Sequence, residues 1–457
     1  MPLDPRPTRE HRRRPAPLAP LLLLAITAAL PPLTRGADAP TFLAGVAQRD
    51  VTPEKPTPMW GYGARHDQLS QGVLDPLWAK AVVIQAGELK LAIVGMDLGR
   101  GPTPAMMSRI RERVASRGIK GVLICGSHTH HGPVIELTNE PGFGGGKFDD
   151  AAAYARKLPD LIAEAILEAA GKLEPVSLRV ADRELKFNRN RHAKHDPKPV
   201  DPLLSVIRFD RPDGSPLAVL VHFAAHPVMR PGEVLKFSAD YPGAMRAIVE
   251  KELGAPCVFI QGAAGNLSPN PEPGVRGADE FGRALGLRAV ELARSMVDSP
   301  PIPASIALAK QRHAFSTRVD LKSAVNLFIY GRAFFPELAR SFFKEFADGM
   351  KPETIAAVLG DQLAIVGLPG EPFCQHALRF RERAGLPHAL IFGYCNGHFL
   401  YFPTIEAAAE GGYGASPQMA PIALGAGEAM LNQALIDLYR LRGKFPGEEP
   451  DRAPTAE

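Results

Sequence analysis

Short apolar runs recur along this chain, each cut off by a turn or followed by a stretch with the period of a helix. That alternation restricts the fold to a layered α/β architecture. Residues 79–86 and 90–97 flank Gly87-Glu88 and predict a hairpin. The period of 104–117 predicts a helix, followed by a buried strand at 121–126, and 150–172 reads as a long helix. A second hairpin is predicted from 203–209 and 217–223 around Pro212-Asp213-Gly214, then a helix at 242–253 and a strand at 256–261. Strands at 362–367 and 388–394 enclose a further helix, and no internal repeat is visible.

Composition narrows the class further. With 45% hydrophobic and 22% charged residues over 457 positions, the chain has the mix of a globular protein long enough to bury a large core. Its 43 Gly and 45 Pro have no period, which excludes collagen-like and coiled-coil forms. The formal charge is +4, but residues 1–39 hold six Arg against Asp4, Glu10 and Asp38, so the remainder carries only about +1. That balance gives no support to a nucleic-acid partner. Cys125, Cys257, Cys374 and Cys395 show neither C-x-x-C nor zinc-finger spacing, and the apolar runs around Cys125 and Cys257 point to buried free thiols.

Residues 1–39 have a basic stretch ending at Arg14, an apolar stretch around Leu21 to Ile26, and small residues at Gly36 to Ala39. This is the pattern of a secretory signal peptide, and its prolines keep the apolar stretch short of the roughly 20 residues that a spanning helix needs. Export is the expectation, to a periplasmic, cell-surface or secreted location. The tail 443–457, rich in Pro, Glu and Asp, reads as disordered.

Polar residues suited to metal binding or proton transfer sit just past the ends of the apolar runs. In layered α/β folds, ligands bind outside strand ends, so these segments are candidates for one site. His128, His130 and His131 share a loop flanked by Gly and Pro, where alternate imidazoles face opposite ways; zinc takes such ligands, and surface loop histidines are the plain alternative. His226 ends a strand and is either a ligand or a structural residue. Glu371, after Pro369-Gly370, is either a carboxylate ligand or an acid in the first turn of a helix. Ser268 follows a Gly-rich turn without a G-x-S-x-G elbow, and an ST-turn would explain it equally. Tyr401 and Tyr413, read singly, are ordinary aromatics.

Taken in order, these segments resemble the catalytic domain of the neutral (non-lysosomal) ceramidases. The anchors are Gly45-Val46-Ala47, Asp50-Val51-Thr52, Trp60-Gly61-Tyr62, Asp97, His128-Thr129-His130, Gly132-Pro133, Asn188-Arg189 and Phe223-Ala224 with His226. They continue through Ser238 and Asp240, Gln261 to Asn270, Leu368 to Glu371, Asn396 to Tyr401, and Tyr413 with Gly414-Ala415-Ser416. The resemblance implies an α/β layered domain over 40–442 with two central mixed sheets flanked by helices. It implies one Zn2+ per chain on His128, His226, Glu371 and Tyr401. It further implies His130 as an active-site histidine, Ser268 as nucleophile, and Arg189 and Tyr413 beside the scissile amide. Zinc-activated water is the competing nucleophile, because a serine needs a base within reach.

Four departures mark this chain. Asn266 stands where the family has an acid, the segment after the second histidine ligand becomes Pro227-Val228-Met229-Arg230, the Asn-Arg-Ser-Pro stretch becomes Asn188-Arg189-Asn190-Arg191, and the chain ends about forty residues after Tyr413, where the family is expected to carry an additional C-terminal β-sandwich. The expected activity is hydrolysis of the N-acyl bond of ceramide or a related lipid, with peripheral membrane contact and no set oligomeric state. A zinc hydrolase of another amide or ester, and a non-catalytic lipid carrier, are the alternatives.

Overall fold

The structure, a computed structural model, describes residues 41–446; the leader and residues 447–457 of the 443–457 tail lie outside them. The larger sheet holds β1 (Phe42–Asp50), β2 (Trp78–Ala86), β3 (Leu89–Met96), β4 (Ile119–Gly126), β5 (Glu174–Glu184), β6 (Leu203–Asp210), β7 (Pro216–Phe223) and β8 (Cys257–Gln261). Their order across the sheet is β8-β7-β6-β5-β1-β2-β3-β4. A second sheet runs β9 (Ile306–Arg312), β10 (Glu353–Leu359), β11 (Leu363–Gly367) and β12 (His388–Phe392), in that order. Both sheets are mixed, with parallel pairs at β3/β4, β7/β8 and β11/β12.

Period-two alternation sorts the side chains into layers. On β3, Leu91 and Ile93 face the core between the sheets, where they meet Ile365 of β11 and Leu390 of β12. Ala92 and Val94 face the other way, onto helices α1 (Pro104–Ala115) and α2 (Asp149–Gly171). On β11 the same alternation turns Ala364 and Val366 toward α7 (Cys374–Ala384) and α8 (Ala426–Leu441). Between these in the chain come α3 (Asp240–Leu253), α4 (Gly277–Ser295), α5 (Ala324–Ala333) and α6 (Pro336–Glu345), of which α3 and α4 cover β6 and β7. The result is helix, sheet, sheet, helix. Truncating a fully buried side chain such as Ile93 to Ala would cost about 2–5 kcal/mol, through lost burial plus a residual cavity.

Local chemistry explains the elements that the sequence foretells. Helix α1 opens on Thr103, whose side chain accepts from Met106 N, with Pro104 in the first turn, and buries Met106, Ile110 and Val114 at four-residue intervals. Gly45 is required where α2 ends on β1, since a Cβ there would lie 2.1 Å from Ala169 O. All four cysteines are buried free thiols. The span 277–359, for which the sequence suggested no element, contains α4, β9, α5, α6 and β10. Helix α5, Ala-Val-Asn-Leu-Phe-Ile-Tyr-Gly-Arg-Ala, is apolar nearly all round and therefore has no readable period. Among the described residues no helix is long and apolar enough to cross a membrane.

Candidate active site

Loops leaving the carboxyl ends of β4, β7, β11 and β12 meet at one point. The first carries His128 and His130. His128 has φ +67°, a left-handed conformation that a histidine adopts only when its surroundings impose it. His226 follows β7. The two loops are joined by Gln261 at the end of β8, whose side chain donates to Ser127 O (3.0 Å) and Ala225 O (2.8 Å), the carbonyls just ahead of the two histidines.

Glu371 follows β11. Gly370, at φ +153°, lets Leu400 O come within 2.6 Å of where a Cβ would stand, and Glu371 then pairs in parallel with Tyr401. The alternative reading of Glu371 as a helix acid does not hold, because α7 starts three residues later with Phe373 as its N-cap. The segment after β12 is held by Asn396. Its side chain accepts from Ile124 N (2.9 Å) and donates to Val122 O (2.7 Å), standing in for a strand partner along β4. Tyr394, Asn396 and Leu400 all have positive φ, at 53°, 58° and 57°, so this segment is bent by its contacts and not by glycine alone.

At the meeting point, Glu371 Oε2 lies 3.3 Å from His128 Nε2 and 3.1 Å from His226 Nε2, with Oε1 3.6 Å from His398 Nε2. His130 Nε2 is 3.3 Å from His128 Nε2, and the ring nitrogens of His128, His130 and His226 lie within 4.8 Å of one another. Nδ1 of His128 donates to Gly99 O (2.6 Å) and Nδ1 of His226 to Ala264 O (2.7 Å). These bonds assign the proton to Nδ1 and leave each Nε2 lone pair facing the carboxylate. Backbone carbonyls behind imidazoles are the usual outer support of metal-bound histidine.

Arg191, 2.6 Å from His226 Nε2, supplies a cation at one edge of this arrangement. Burial and Arg191 drive His226 down to about 3, burial and His128 drive His130 well below its ordinary value, and burial takes His398 to about 3. Burial pushes Glu371 up, but His128 and His226 outweigh it and hold the carboxyl well below its usual range. Burial and Glu371 push Tyr401 well above the ordinary phenol value. Lone pairs and one anion thus converge, while Nδ1 of His130 and both nitrogens of His398 have no hydrogen-bond partner among the described residues. The donor set of imidazole, carboxylate and phenol fits a divalent cation of the zinc type.

The site opens into a cavity of about 580 Å3, lined by Trp60, Tyr62, Phe334, Phe335, Leu338 and Phe342, with His128, His130, Glu371, Tyr401 and Tyr413 at its polar end. The Trp60-Gly61-Tyr62 anchor is now explained. A Cβ on Gly61 would strike the His130 ring at 2.4 Å, and Trp60 packs edge-on against His128, His130 and His398. The alternation along the loop divides the histidines, since His131 turns away to accept from Arg65 at 2.7 Å.

Two residues of the expected set stand apart. Ser268 and Arg189 face each other across a short antiparallel pair, 188–190 with 267–269, and neither lines the cavity. Arg189 is exposed, and the Ser268 hydroxyl makes no hydrogen bond among the described residues. The guanidinium that does enter the site belongs to Arg191, which donates to His226 Nε2 (2.6 Å), Tyr401 Oη (3.2 Å) and Gly265 O (3.2 Å). The sequence signalled it only as a departure from Asn-Arg-Ser-Pro. Along strand 188–190, alternation faces Arg189 outward, and Arg191, beyond the strand end, turns back over His226.

Residues 42–278, just over half of the chain, match the profile described as neutral/alkaline non-lysosomal ceramidase, N-terminal. Glu371, Tyr401 and Tyr413 lie beyond that span. The fold is similar to that of the neutral ceramidase from Pseudomonas aeruginosa, at 21% identity and a TM-score of 0.72, covering 92% of this chain and 77% of that one. It is also similar to a ceramidase complexed with C2, at 20% identity and a TM-score of 0.70, covering 92% and 78%. Profile match and architecture agree: the chain belongs to the neutral/alkaline non-lysosomal ceramidase family.

Proposed function

We propose that this protein is an exported, zinc-dependent amidohydrolase that cleaves the N-acyl bond of ceramide or a related acylated lipid, giving fatty acid and free amine. One observation carries the reading: inward-facing imidazole lone pairs and a carboxylate stand at the end of an apolar cavity, in a ceramidase-family chain. His128, His226, Glu371 and Tyr401 would hold the zinc, which when bound polarises an amide carbonyl and acidifies water. Export rests on the leader pattern of residues 1–39.

The chain's own residues then divide the work. Trp60, Phe335, Leu338 and Phe342 receive the acyl chain and exclude water from the reacting end. His130 takes a proton from the attacking water as its oxygen bonds to the acyl carbon. It returns that proton to the nitrogen as the C–N bond breaks. Its Nδ1 has no hydrogen-bond partner among the described residues, and burial keeps the ring neutral at the start. Arg191 and Tyr413 face the developing oxyanion, and Arg191 takes the role that the resemblance gave to Arg189. Water is preferred to Ser268 because that hydroxyl has no hydrogen-bond partner among the described residues to serve as its base.

The test is release of free amine by the full chain from N-acylsphingosines and from simpler N-acyl amines, with and without chelator. Chelator-sensitive release from N-acylsphingosine, restored by zinc, is the expected result. Release only from the simpler amides would move the substrate elsewhere, and release from none would overturn the reading.

A further inference from the structure

Helix α5 presents apolar side chains on two opposite sides. Inward, Tyr330 is buried and lines the cavity together with Phe334, just beyond the helix. Outward, Val325 and Phe328 are each 68% exposed and Ile329 is 44% exposed. Positions 325, 328 and 329 fall on one face of a helix, by the three-and-four spacing. Exposed side chains of this size do not ordinarily line up on a helix that faces only water.

The stripe is bracketed by cations. Exposed Lys322 stands three residues before Val325 and exposed Arg332 three after Ile329, and neither is paired with an acid among the described residues. Helix α5 itself contains no acid; the nearest, Asp320, has Oδ1 engaged with Lys322 N. The helix also borders the cavity through Tyr330. A Cβ on Gly63, which lines the cavity, would meet Ala333 O at 2.5 Å, and Tyr413, which also lines the cavity, is 67% exposed.

We propose that the outer face of α5 docks this protein on an anionic lipid bilayer, with Val325, Phe328 and Ile329 entering the acyl boundary and Lys322 and Arg332 meeting the headgroups. An apolar strip flanked by cations has the chemistry of interfacial helices, and each cation near an anionic surface adds to the attraction. A second copy of the chain fits less well. Three side chains on one ten-residue helix cannot supply the roughly 1,200–2,000 Å2 that a stable protein interface buries. The wall of the cavity would then rest on the membrane that contains an acylated substrate; only this last link depends on the proposed function.

The experiment is co-sedimentation of the full chain with vesicles of phosphatidylcholine, alone or with a quarter phosphatidylglycerol, none containing a substrate. The expected result is binding that favours the anionic vesicles. Phe328→Ser with Ile329→Ser should weaken it at least tenfold. Lys322→Glu with Arg332→Glu should remove the preference for phosphatidylglycerol. A Phe328→Trp reporter should shift its emission to the blue on adding vesicles. All four positions are exposed, so far-ultraviolet circular dichroism should match the parent protein. Equal sedimentation of parent and variants, or no spectral shift, overturns the proposal. So does a dimer that the serine variant dissociates without any vesicle binding by the parent. Because the vesicles hold no substrate, loss of docking and failure of N-acyl hydrolysis are read separately.

Discussion

Two buried polar clusters stand side by side in this molecule, and they differ in how completely their groups are paired. Asp97, at the end of β3, receives both arms of Arg246 at 2.5 and 2.6 Å, and its Oδ2 also accepts from Trp78 N at 2.8 Å. Nearby, Ser238 donates to Asp75 and accepts from Arg230, while Asp240 accepts from Arg230 N and Tyr241 N. These groups border a cavity of about 420 Å3 lined by Asp75, Arg230, Asp240 and Arg246, none of which has a buried side-chain atom without a partner. Around Glu371 the opposite holds: histidine lone pairs face a carboxylate, and the nitrogens of His398 have no partner. A closed network holds the fold, whereas an open one waits for what binds to it. Both lie past strand ends, so position alone does not separate structural residues from functional ones.

The sharpest way to break this contrast is at its open side. Glu371→Gln or His226→Ala should abolish both stoichiometric metal and amide hydrolysis, measured by elemental analysis and amine release. Glu371→Gln protein that retains metal and activity would collapse the distinction. Next, His130→Ala should lower kcat by about 10²–10⁴-fold while metal content stays unchanged, as expected of a proton-transfer group and not of a ligand.

On the closed side, Asp97→Ala strands a buried guanidinium and should cost about 3–5 kcal/mol in urea unfolding. The expected metal content of whatever folds is unchanged. A smaller effect concerns Asp240, whose carboxyl burial raises from 3.8 to about 6. The folded state then holds its proton more tightly than the unfolded state. Stability from this group is full below about pH 4 and is lost as pH rises through about 6. Asp240→Asn should flatten the fall in stability over that window by up to roughly 3 kcal/mol, at about 1.4 kcal/mol per pH unit. An unaltered slope would show that its backbone donors offset the burial. Least of all, Arg189→Ala should leave kcat within about twofold of the parent, whereas Arg191→Ala should reduce it by tenfold or more.

Much of this molecule was readable from its residues. The hairpins at β2/β3 and β6/β7 follow from apolar alternation around tight turns, and α1 from its cap and its four-residue stripe, because these signals are local. The segments bearing His128, His226 and Glu371 were found the same way, as polar residues at the ends of apolar runs, whereas Tyr401 was singled out only by the family resemblance. Helix α5 was not found, since an apolar helix exposed on its far side has no period to read; the amphipathic α6 was passed over although its period is present.

What tertiary structure alone decided was which of those polar residues meet. Gln261 ties together the loops at Ser127 and Ala225, and Asn396 ties its own segment to β4, both through side-chain amides that act as backbone substitutes. Nothing in either residue's neighbourhood announces that role. The same holds for Arg189 and Arg191, two cations in one short stretch. The sequence supplied both, but the pairing of 188–190 with 267–269 set one outward and left the other to fold back over His226. Local sequence determines secondary structure because its forces act between near neighbours. A site gathers groups from four strand ends, and its geometry is settled only when the two sheets pack.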